Sequence, residues 1–592
     1  MIRYLVRSDN PASHLFNVQM IIEAPCPKAQ EISLPNWIPG SYLIRDFARH
    51  IVSIKAQNCS IKKSSSNIWI CENITGAITL DYVVYAFDIS VRGAYCGENH
   101  AFFNGSSLFL QAHAKEHEKC EVLLIPPKRQ ENAPWKVATT LKSLDAPCWG
   151  FGTYYADSYE ALIDHPVMLG DFQLEEFKVH DIPHAIAIMG QHEGDIKRLA
   201  EDVAKICQTH LDLFQDTPPF DRYLFILTVT KEGYGGLEHR ASSALITQRA
   251  AFEKNAQGPS RAYIGLLGLF SHEYFHAWHI KKIKPSAFMP YDLNQKNYTQ
   301  QLWVFEGFTS YYDDLALVRS KIITGDKYLN LLAEKLTKLL RNPGKNVQTL
   351  VESSFDAWIK FYCPNENSIN VEVSYYLKGS LVALAIDILL RESGNLSLDN
   401  IMRTLWQEYG KKGIGVPEGK IEALLHALGN EDLSDFITTA LYTTQDLPFK
   451  MLLEKMGLSL TLRQAQSLED LGGVLNQKSV AINQGSLGIK FTKNNGRVMI
   501  QSVFTGSAAS EAGLSAQDEI IAINGIKVDE TNIEKILNRL TAHQKISMHL
   551  FRQDVLQEKL IIIKEASIDT AEISVMSTSE EQKLKLEMWL HL

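Results

Sequence analysis

The spacing of apolar and polar positions divides the chain into strand-like and helix-like stretches. Up to about residue 171 the apolar residues alternate or form short β-branched runs, separated by Pro, Gly and Asn, at 16–23, 68–71, 78–87 and 120–125. From about residue 191 apolar residues recur every three or four positions, at 195–214, 263–280, 326–341 and 380–391. Ser397 begins another predicted helix, which Gly410 ends. The pattern therefore predicts an all-β domain followed by a mostly helical one.

A strand-like pattern returns between residues 457 and 564. Its runs, at 498–503, 519–523, 545–551 and 559–563, are separated by Gly-rich turns and predict a separate compact module. After it, Ser579 and Gln582 have the spacing of a capping box, and Leu584, Met588 and Trp589 follow at helical spacing. We expect a short helix docked on the body of the protein. The fold class expected for the whole chain is multidomain α+β.

Composition narrows the possible environments and partners. The chain has 592 residues, which suggests several domains, and 45% hydrophobic with 21% charged residues is typical of a globular protein. With 59 Lys and Arg against 68 Asp and Glu, the net charge of −9 argues against nucleic acid as a partner. No apolar run approaches the ~20 residues of a membrane-spanning helix, and the amino terminus lacks a signal-peptide core. Eight scattered cysteines without a CxxC pair fit reduced thiols, so we expect a cytoplasmic protein.

An HExxH motif supplies the first candidate chemistry. His272 and His276 lie four residues apart in a helix-compatible apolar run, so both imidazoles can face one metal ion, and Glu273 lies beside them. Such a pattern is typical of zinc peptidases, in which the glutamate is the general base. The alternative is a helix whose histidines only pack or face solvent.

Catalytic zinc needs a third protein ligand and an open position. Glu306 follows His276 by thirty residues and lies in an otherwise apolar stretch, 303–311, where an unpaired carboxylate would be costly. We predict that it completes a site for one zinc ion, which polarises a carbonyl and lowers the pKa of water. Cobalt or manganese could replace zinc in vitro. The predicted reaction is peptide or amide hydrolysis, and the alternative for Glu306 is a surface position at a helix start.

These residues resemble the glycyl aminopeptidase family of HExxH zinc metallopeptidases, which is related to the aminopeptidase N group. Four segments carry the resemblance, namely 37–47, 90–95, 272–278 and 305–312. It extends over the chain and implies four parts: a β-sandwich-like domain at 1–171, a thermolysin-like zinc catalytic domain with a helical C-terminal part at 172–456, a PDZ-like domain at 457–566, and a tail with a short docked helix at 567–592.

The same resemblance implies the substrate-binding residues. Gly235, Gly236 and Glu238 look like the strand on which a glutamate holds the free α-amine of the substrate, which would enforce exopeptidase cleavage. The two glycines would leave room for a peptide backbone along the strand. Without the resemblance, this segment is typical of a plain turn. His239 replaces the asparagine usual in aminopeptidase N, and no role is assigned to it or to His279.

A tyrosine pair precedes Lys378-Gly379. In related enzymes a catalytic tyrosine lies two residues before a Lys-Gly pair, which points to Tyr376 as the group that stabilises the oxyanion. Tyr375 is the alternative, and either ring is also compatible with core packing. Asp313 or Asp314 is a weaker candidate for orienting a zinc-binding imidazole.

The C-terminal module resembles a PDZ domain. Leu487, Gly488 and Ile489 stand where such domains bind a peptide carboxylate on backbone amides. The module either binds peptide C termini or braces the active-site entrance.

We therefore expect a cytoplasmic aminopeptidase that removes small first residues, Gly or Ala, from peptides with a free N terminus. Two rival hypotheses are a non-catalytic scaffold that uses the PDZ-like groove and an endopeptidase that captures substrate C termini there. The scaffold would not require the base Glu273.

Overall fold

The computed structural model describes residues 1–127, 135–252, 258–394, 396–428, 431–474, 484–576 and 579–592. They form two compact units, the first built from Met1–Tyr298 with Met402–Pro417 and the second from Thr299–Ile401 with Glu418–Leu592. Each unit is made of segments distant in sequence. The boundaries at 171, 456 and 566 stay predictions.

The first unit begins with the all-β region that the alternation predicted. Its largest sheet is antiparallel except for one parallel pair, and its strands in spatial order are Lys142–Ser143, Gly152–Ala156, Cys120–Leu124, Ile2–Arg7, Leu15–Ile22, Ile78–Tyr85 and Ile51–Gln57. A second sheet contains Gln111–Ala112, Gln30–Ser33, Ile68–Glu72 and Ser60–Lys63. A third contains Lys136–Ala138, Val167–Gly170, His100–Phe103 and Ala94–Cys96. The predicted strands at 16–23, 68–71, 78–87 and 120–125 are confirmed within two residues.

A mixed sheet follows, and its outer strand matters for function. Its order is Gln173–Val179, Ile182–Met189, Tyr223–Thr230, Ser242–Gln248 and Gly235–Glu238. We call the last of these the edge strand; it pairs antiparallel with Ser242–Gln248. One hydrophobic core runs from Ile2 through the β region into this sheet as far as Ile246. The edge strand is thus supported by the same core as the N-terminal sheets.

Two long helices of the first unit, Ile196–Phe214 and Arg261–Phe275, pack on the mixed sheet. The described helices of this unit are Gly105–Leu108, Tyr159–Ile163, Ile196–Phe214 and Arg261–Phe275, with short 3₁₀ turns at Pro11–Ser13, Phe47–His50, Arg249–Ala251 and Ser286–Phe288. The predicted helix at 263–280 ends five residues early, because the chain turns after Phe275 and Ile280 has a φ of 105°. The helix predicted from Ser397 is confirmed as Leu398–Leu405, continued by a π-helical turn at Trp406–Gly410.

The second unit is helical before it returns to strands. Its described helices, besides short 3₁₀ turns, are Leu302–Phe305, Gly307–Arg319, Gly325–Leu340, Leu350–Phe355, Ser368–Val371, Tyr375–Ser393, Lys420–Leu428, Glu431–Tyr442 and Phe449–Lys455. The stretch Ser368–Ser393 is long and apolar enough to cross a membrane, but 83% of its most apolar window is buried inside the protein. Such burial is that of a core helix.

The PDZ-like module has its own core within the second unit. Its sheet runs Ile489–Asn494, Arg497–Val503, Glu519–Ile523, Lys545–Arg552 and Val555–Ile562, with Ile526–Lys527 beside the third strand. Helices Ala508–Glu511 and Ile533–Leu537 cover it. Two further strand pairs flank the module, Gly485–Ser486 with Lys564–Glu565 and Leu458–Gln464 with Ile568–Val575.

The terminal helix, Glu580–Leu590, starts with the predicted capping box of Ser579 and Gln582. Its docking face differs from the expectation. Leu584 and Met588 are 57% and 58% exposed, whereas Trp589 is fully buried, because Leu586, Trp589 and Leu590 form the apolar stripe that faces the protein.

Candidate zinc site and substrate strand

The HExxH helix, Arg261–Phe275, carries the first two candidate ligands at its C-terminal end. Ser260 caps its start by accepting a hydrogen bond from the backbone N–H of Tyr263, and apolar residues bury most of its surface. His272 and Glu273 lie in the last turn, and His276 is the C-cap residue. Because the helix ends there, His276 can turn its ring toward His272.

The tautomer of His276 follows from its second contact. Nδ1 of His276 lies 2.7 Å from the backbone carbonyl oxygen of His279, which can only accept, so Nδ1 carries the proton and Nε2 has the lone pair. Nε2 of His276 lies 3.0 Å from Nε2 of His272. Two nitrogen ligands of one tetrahedral zinc ion are about 3.3 Å apart, so the pair has the spacing of a zinc site. No sequence pattern indicates this contact with the carbonyl of His279.

Glu306 joins this pair as the third donor. One ligand atom from each of His272, His276 and Glu306 lies within 4.8 Å of the others. Glu306 is 2% exposed and lies at the junction of the helices Leu302–Phe305 and Gly307–Arg319. Two imidazole nitrogens and a carboxylate oxygen are the donor set of many catalytic zinc sites, so the residues fit zinc.

The helix Tyr375–Ser393, called the tyrosine helix here, packs directly on the Glu306 junction. A Cβ on Gly307 would lie 2.6 Å from the Cα of Gly379, and a Cβ on Gly379 would lie 2.7 Å from the carbonyl oxygen of Trp303. Only glycine at both positions allows this approach. Gly379 of the Lys378-Gly379 pair therefore has a structural role that the sequence did not reveal.

The two tyrosines of this helix have different environments. Tyr375 is fully buried, and burial, followed by the nearby Tyr362 and Glu306, raises the pKa of its phenol well above its usual value. Tyr376 is half-buried, and its hydroxyl lies 3.2 Å from that of Tyr362. The more accessible hydroxyl is thus the one that the sequence favoured for oxyanion stabilisation, although its role remains a prediction.

The edge strand runs directly past the HExxH helix. A side chain on Gly236 would overlap Oε1 of Glu273, so the strand and the candidate base are in van der Waals contact. Arg92, in the segment 90–95, donates a 3.3 Å hydrogen bond from Nη2 to the carbonyl oxygen of Gly236. The β region thereby fixes the strand at the level of Glu273. The sequence singled out the segment without a role for Arg92.

Glu238 lies two residues beyond Gly236, on the same face of the strand, and is 4% exposed. Gly40, with a φ of 96°, covers its carboxylate: a Cβ there would lie 2.5 Å from one oxygen and 2.6 Å from the other. Both the backbone conformation and the contact require glycine at this position. The loop around Gly40 is therefore part of the Glu238 site.

The structure also shows contacts of the remaining candidates, whose roles stay predictions. Asp313 and Asp314 both contact Lys335, with closest oxygens 3.4 and 2.7 Å from its Nζ. His239 directs Nδ1 toward Asp164, 3.2 Å away. In the PDZ-like module, the side chain of Leu487 is 5% exposed and belongs to the module core.

Comparison with known proteins places this geometry in a family. Residues 3–171 match the Peptidase M61 N-terminal domain, residues 265–382 match M61 glycyl aminopeptidase, and residues 485–562 match the PDZ domain. An aminopeptidase N family protein from Idiomarina loihiensis, known from a crystal structure, has 38% sequence identity to this chain. The match covers 100% of both chains, with a TM-score of 0.94. The chain belongs to the M61 glycyl aminopeptidase family.

An M1 zinc metallopeptidase from Deinococcus radiodurans is also similar, at 10% identity and a TM-score of 0.48, over 76% of this chain and 94% of the other. No curated protein sequence matches. As an M61 member with the HExxH motif and Glu306, the chain is a zinc metalloaminopeptidase. The predicted family, the α+β fold class and the enzyme class are confirmed.

Proposed function

We propose that this M61 enzyme removes a small first residue, Gly or Ala, from peptides by means of one zinc ion per chain. His272, His276 and Glu306 would hold the zinc, which supplies a Lewis acid and lowers the pKa of water. Glu273 is the general base that takes a proton from the attacking water and passes it to the leaving amine. Tyr376 donates a hydrogen bond to the developing oxyanion.

The contact between Gly236 and Glu273 is the observation that carries this proposal. Residues i and i+2 of a strand lie on one face about 6.6 to 6.8 Å apart, so Glu238 follows the candidate base by that distance along the strand. A substrate whose α-amine is bound by Glu238 therefore has its first peptide bond near Glu273. The spacing between Glu238 and the base therefore accommodates one substrate residue, as an aminopeptidase requires.

The preference for small residues is supported by the cover over Glu238. Gly40 lies on the carboxylate, and Glu238 is almost inaccessible, so little room surrounds the amine end of the substrate. A bulky first side chain would have to displace the loop that carries Gly40. We expect glycyl and alanyl amides to exceed leucyl and phenylalanyl amides in kcat/KM by about tenfold or more, as one poorly accommodated apolar group costs 1–3 kcal/mol.

Hydrolysis of these amides, together with measurement of bound zinc, tests separately the base Glu273 and Glu238, which binds the α-amine. Glu273→Gln should retain zinc and lose about 10²–10⁴-fold in kcat. Glu238→Gln should lose about 10–100-fold in kcat/KM, because a charge-assisted hydrogen bond is replaced by a neutral one.

Acetylated substrates distinguish the rival hypotheses. The proposal requires that blocking the α-amine abolish cleavage by the wild type. Equal cleavage of blocked and free substrates would establish an endopeptidase. Bound zinc without cleavage of either would favour the scaffold.

Peptide binding at Leu487, Gly488 and Ile489 is a second proposal, for the PDZ domain alone. Among the residues that the structure describes, Ile489–Asn494 pairs with only one strand, Arg497–Val503, which leaves an edge for an added peptide strand. A fluorescent peptide library with free or amidated C termini tests it. Binding that requires the free carboxylate supports the proposal, and no binding rejects it.

A further inference from the structure

A small, partly open cavity lies beside Glu238, in the first unit. Loop residues Ile38 and Pro39 form one wall, and Tyr291 forms another. Its charged and polar lining is mostly basic and consists of His239, Arg240, Lys281, Lys284, Asp164 and Glu160. The cavity is distinct from the zinc donors and from Glu273, none of which lines it.

One buried carboxylate, that of Asp164, contacts most of the basic groups in this lining. Asp164 forms ion pairs with Lys281 at 2.7 Å and with Nε of Arg240 at 3.1 Å, and it lies 3.2 Å from Nδ1 of His239. Glu160, the only other acid in the lining, has a half-exposed side chain and is bound by Arg240. Three cations therefore face two carboxylates, of which only one is buried.

Lys284 is left without a close anionic partner. Its side chain is 8% exposed, yet its Nζ lies 3.9 Å from Glu160 and makes no hydrogen bond to any residue that the structure describes. It lies 4.6 Å above the centre of the Tyr291 ring. Burial lowers the pKa of its ammonium to about 8. A buried cation in this position is costly unless an anion approaches it.

His239 is a second residue of this cavity with a polar atom that lacks a hydrogen bond. It is 1% exposed, and Nε2 has no hydrogen-bond partner among the described residues. Because Nδ1 donates to Asp164, Nε2 of the neutral ring can accept a hydrogen bond from a hydroxyl of a ligand, and Nε2 of the cationic ring can donate one to an anion. A buried polar atom without a partner marks a place where a ligand is missing.

We propose that this cavity binds a small inorganic anion at Lys284 and His239. The anion would accept from the ammonium of Lys284 and balance the excess positive charge of the lining. Ile38, Pro39 and Tyr291 give the cavity partly apolar walls, next to which a charged hydrogen bond is stronger than in open water.

The anion should also affect substrate binding, and this part rests on the proposed function. Pro39 precedes Gly40, which lies on the Glu238 carboxylate, and His239 follows Glu238 directly. Uncompensated cations here repel the α-ammonium group that Glu238 binds. A bound anion removes that repulsion and steadies the loop, so the anion should lower KM with little change in kcat.

Binding is tested on the full chain without reference to activity. The midpoint of thermal unfolding is followed against chloride and, separately, phosphate, with ionic strength held constant by bulky gluconate. Wild type should show a saturable rise with at least one of them. Lys284→Met should raise the half-saturating concentration about tenfold or more, as expected for loss of a charged hydrogen bond. Lys282→Met, which removes the same charge from a residue outside the lining, should retain the response.

Three results decide whether the anion site exists. No saturable rise in wild type overturns the site, and so does an equal response in wild type and Lys284→Met. Binding lost in Lys284→Met but retained in Lys282→Met supports it. Finally, KM for glycyl amide should fall severalfold over the same anion range in wild type and stay constant in Lys284→Met. Anion binding without any change in KM overturns the coupling to Glu238 while leaving the site and the aminopeptidase proposal intact.

Discussion

Gly307 and Gly379 meet where two helices cross, so closely that a Cβ on Gly307 would lie 2.6 Å from the Cα of Gly379. Glu306 precedes the first of these glycines, and Tyr376 lies one helical turn before the second. The absence of two side chains thus allows the candidate zinc ligand Glu306 and the tyrosine helix to lie this close together.

Replacement of Gly379 by alanine should separate these groups. The new methyl would contact backbone atoms of Trp303 and Gly307, which cannot rotate away, so we expect a loss of about 1–3 kcal/mol in the free energy of unfolding. kcat and zinc content should fall with it. Urea unfolding and zinc analysis measure the effects. Gly325→Ala, whose Cβ would find neighbours only at 3.5 Å or beyond, is the control and should change neither.

Gly236→Ala should impair catalysis more than stability. The added methyl would overlap the Glu273 carboxylate, which would have to move away from the water that we propose it activates. We expect kcat to fall about 10–100-fold with zinc retained, since misplacing a catalytic group by about 1 Å can cost 10²-fold. Steady-state kinetics with zinc analysis test this. Gly265→Ala, on the HExxH helix with open space around its Cβ, should remain fully active, and an equal loss there would contradict the explanation.

The terminal helix should contribute measurably to the stability of the second unit. Nε1 of Trp589 donates a 2.8 Å hydrogen bond to the hydroxyl of Tyr311, whose own proton goes to Asp387 at 2.7 Å. Trp589→Ala should therefore cost about 3–5 kcal/mol. Trp589→Phe retains much of the ring and should cost less. Met588→Ala, at an exposed position of the same helix, should leave the urea midpoint unchanged.

Stability should also fall in mild acid. Burial lowers the pKa values of His100, His165 and His184 to about 4, below the value of about 6.5 expected in the unfolded chain. The unfolded state therefore binds more protons between these values, and the stability present above about pH 6.5 is lost as the pH falls toward 4.

Urea midpoints at pH 7.5 and 5.5 measure this loss. His184→Gln should reduce the difference between the two midpoints, because glutamine cannot take up the proton. If His184→Gln shows the same difference between the two midpoints as wild type, protonation of His184 does not contribute to the loss of stability in acid.

Much of the fold and of the metal site was predictable from the sequence. Alternation identified the strands because one face of each is buried, and the i, i+4 spacing of His272 and His276 identified two of the three candidate metal ligands that the structure brings together. Contacts between distant segments were not predictable. Nothing in a local pattern pairs Gly40 with Glu238, or Gly307 with Gly379, since each pair is created by tertiary packing.

The terminal helix shows the same limit on a smaller scale. Its existence and its cap followed from local signals at Ser579 and Gln582. Its buried face did not, because Leu584 and Met588 are as apolar as Leu586 and Leu590. Which side of such a helix is covered is decided by the partner surface, in this case the hydroxyl of Tyr311 that receives Trp589.

The contact of Gly40 with Glu238 has a consequence for recombining M61 enzymes. The N-terminal β region contributes a wall of the Glu238 site, so it is not an interchangeable module. A chimera that takes residues 1–171 from one relative and the edge strand from another brings together a loop and a carboxylate that were selected in different molecules. Productive crossovers therefore have to inherit the Gly40 loop and Gly235–Glu238 from the same parent.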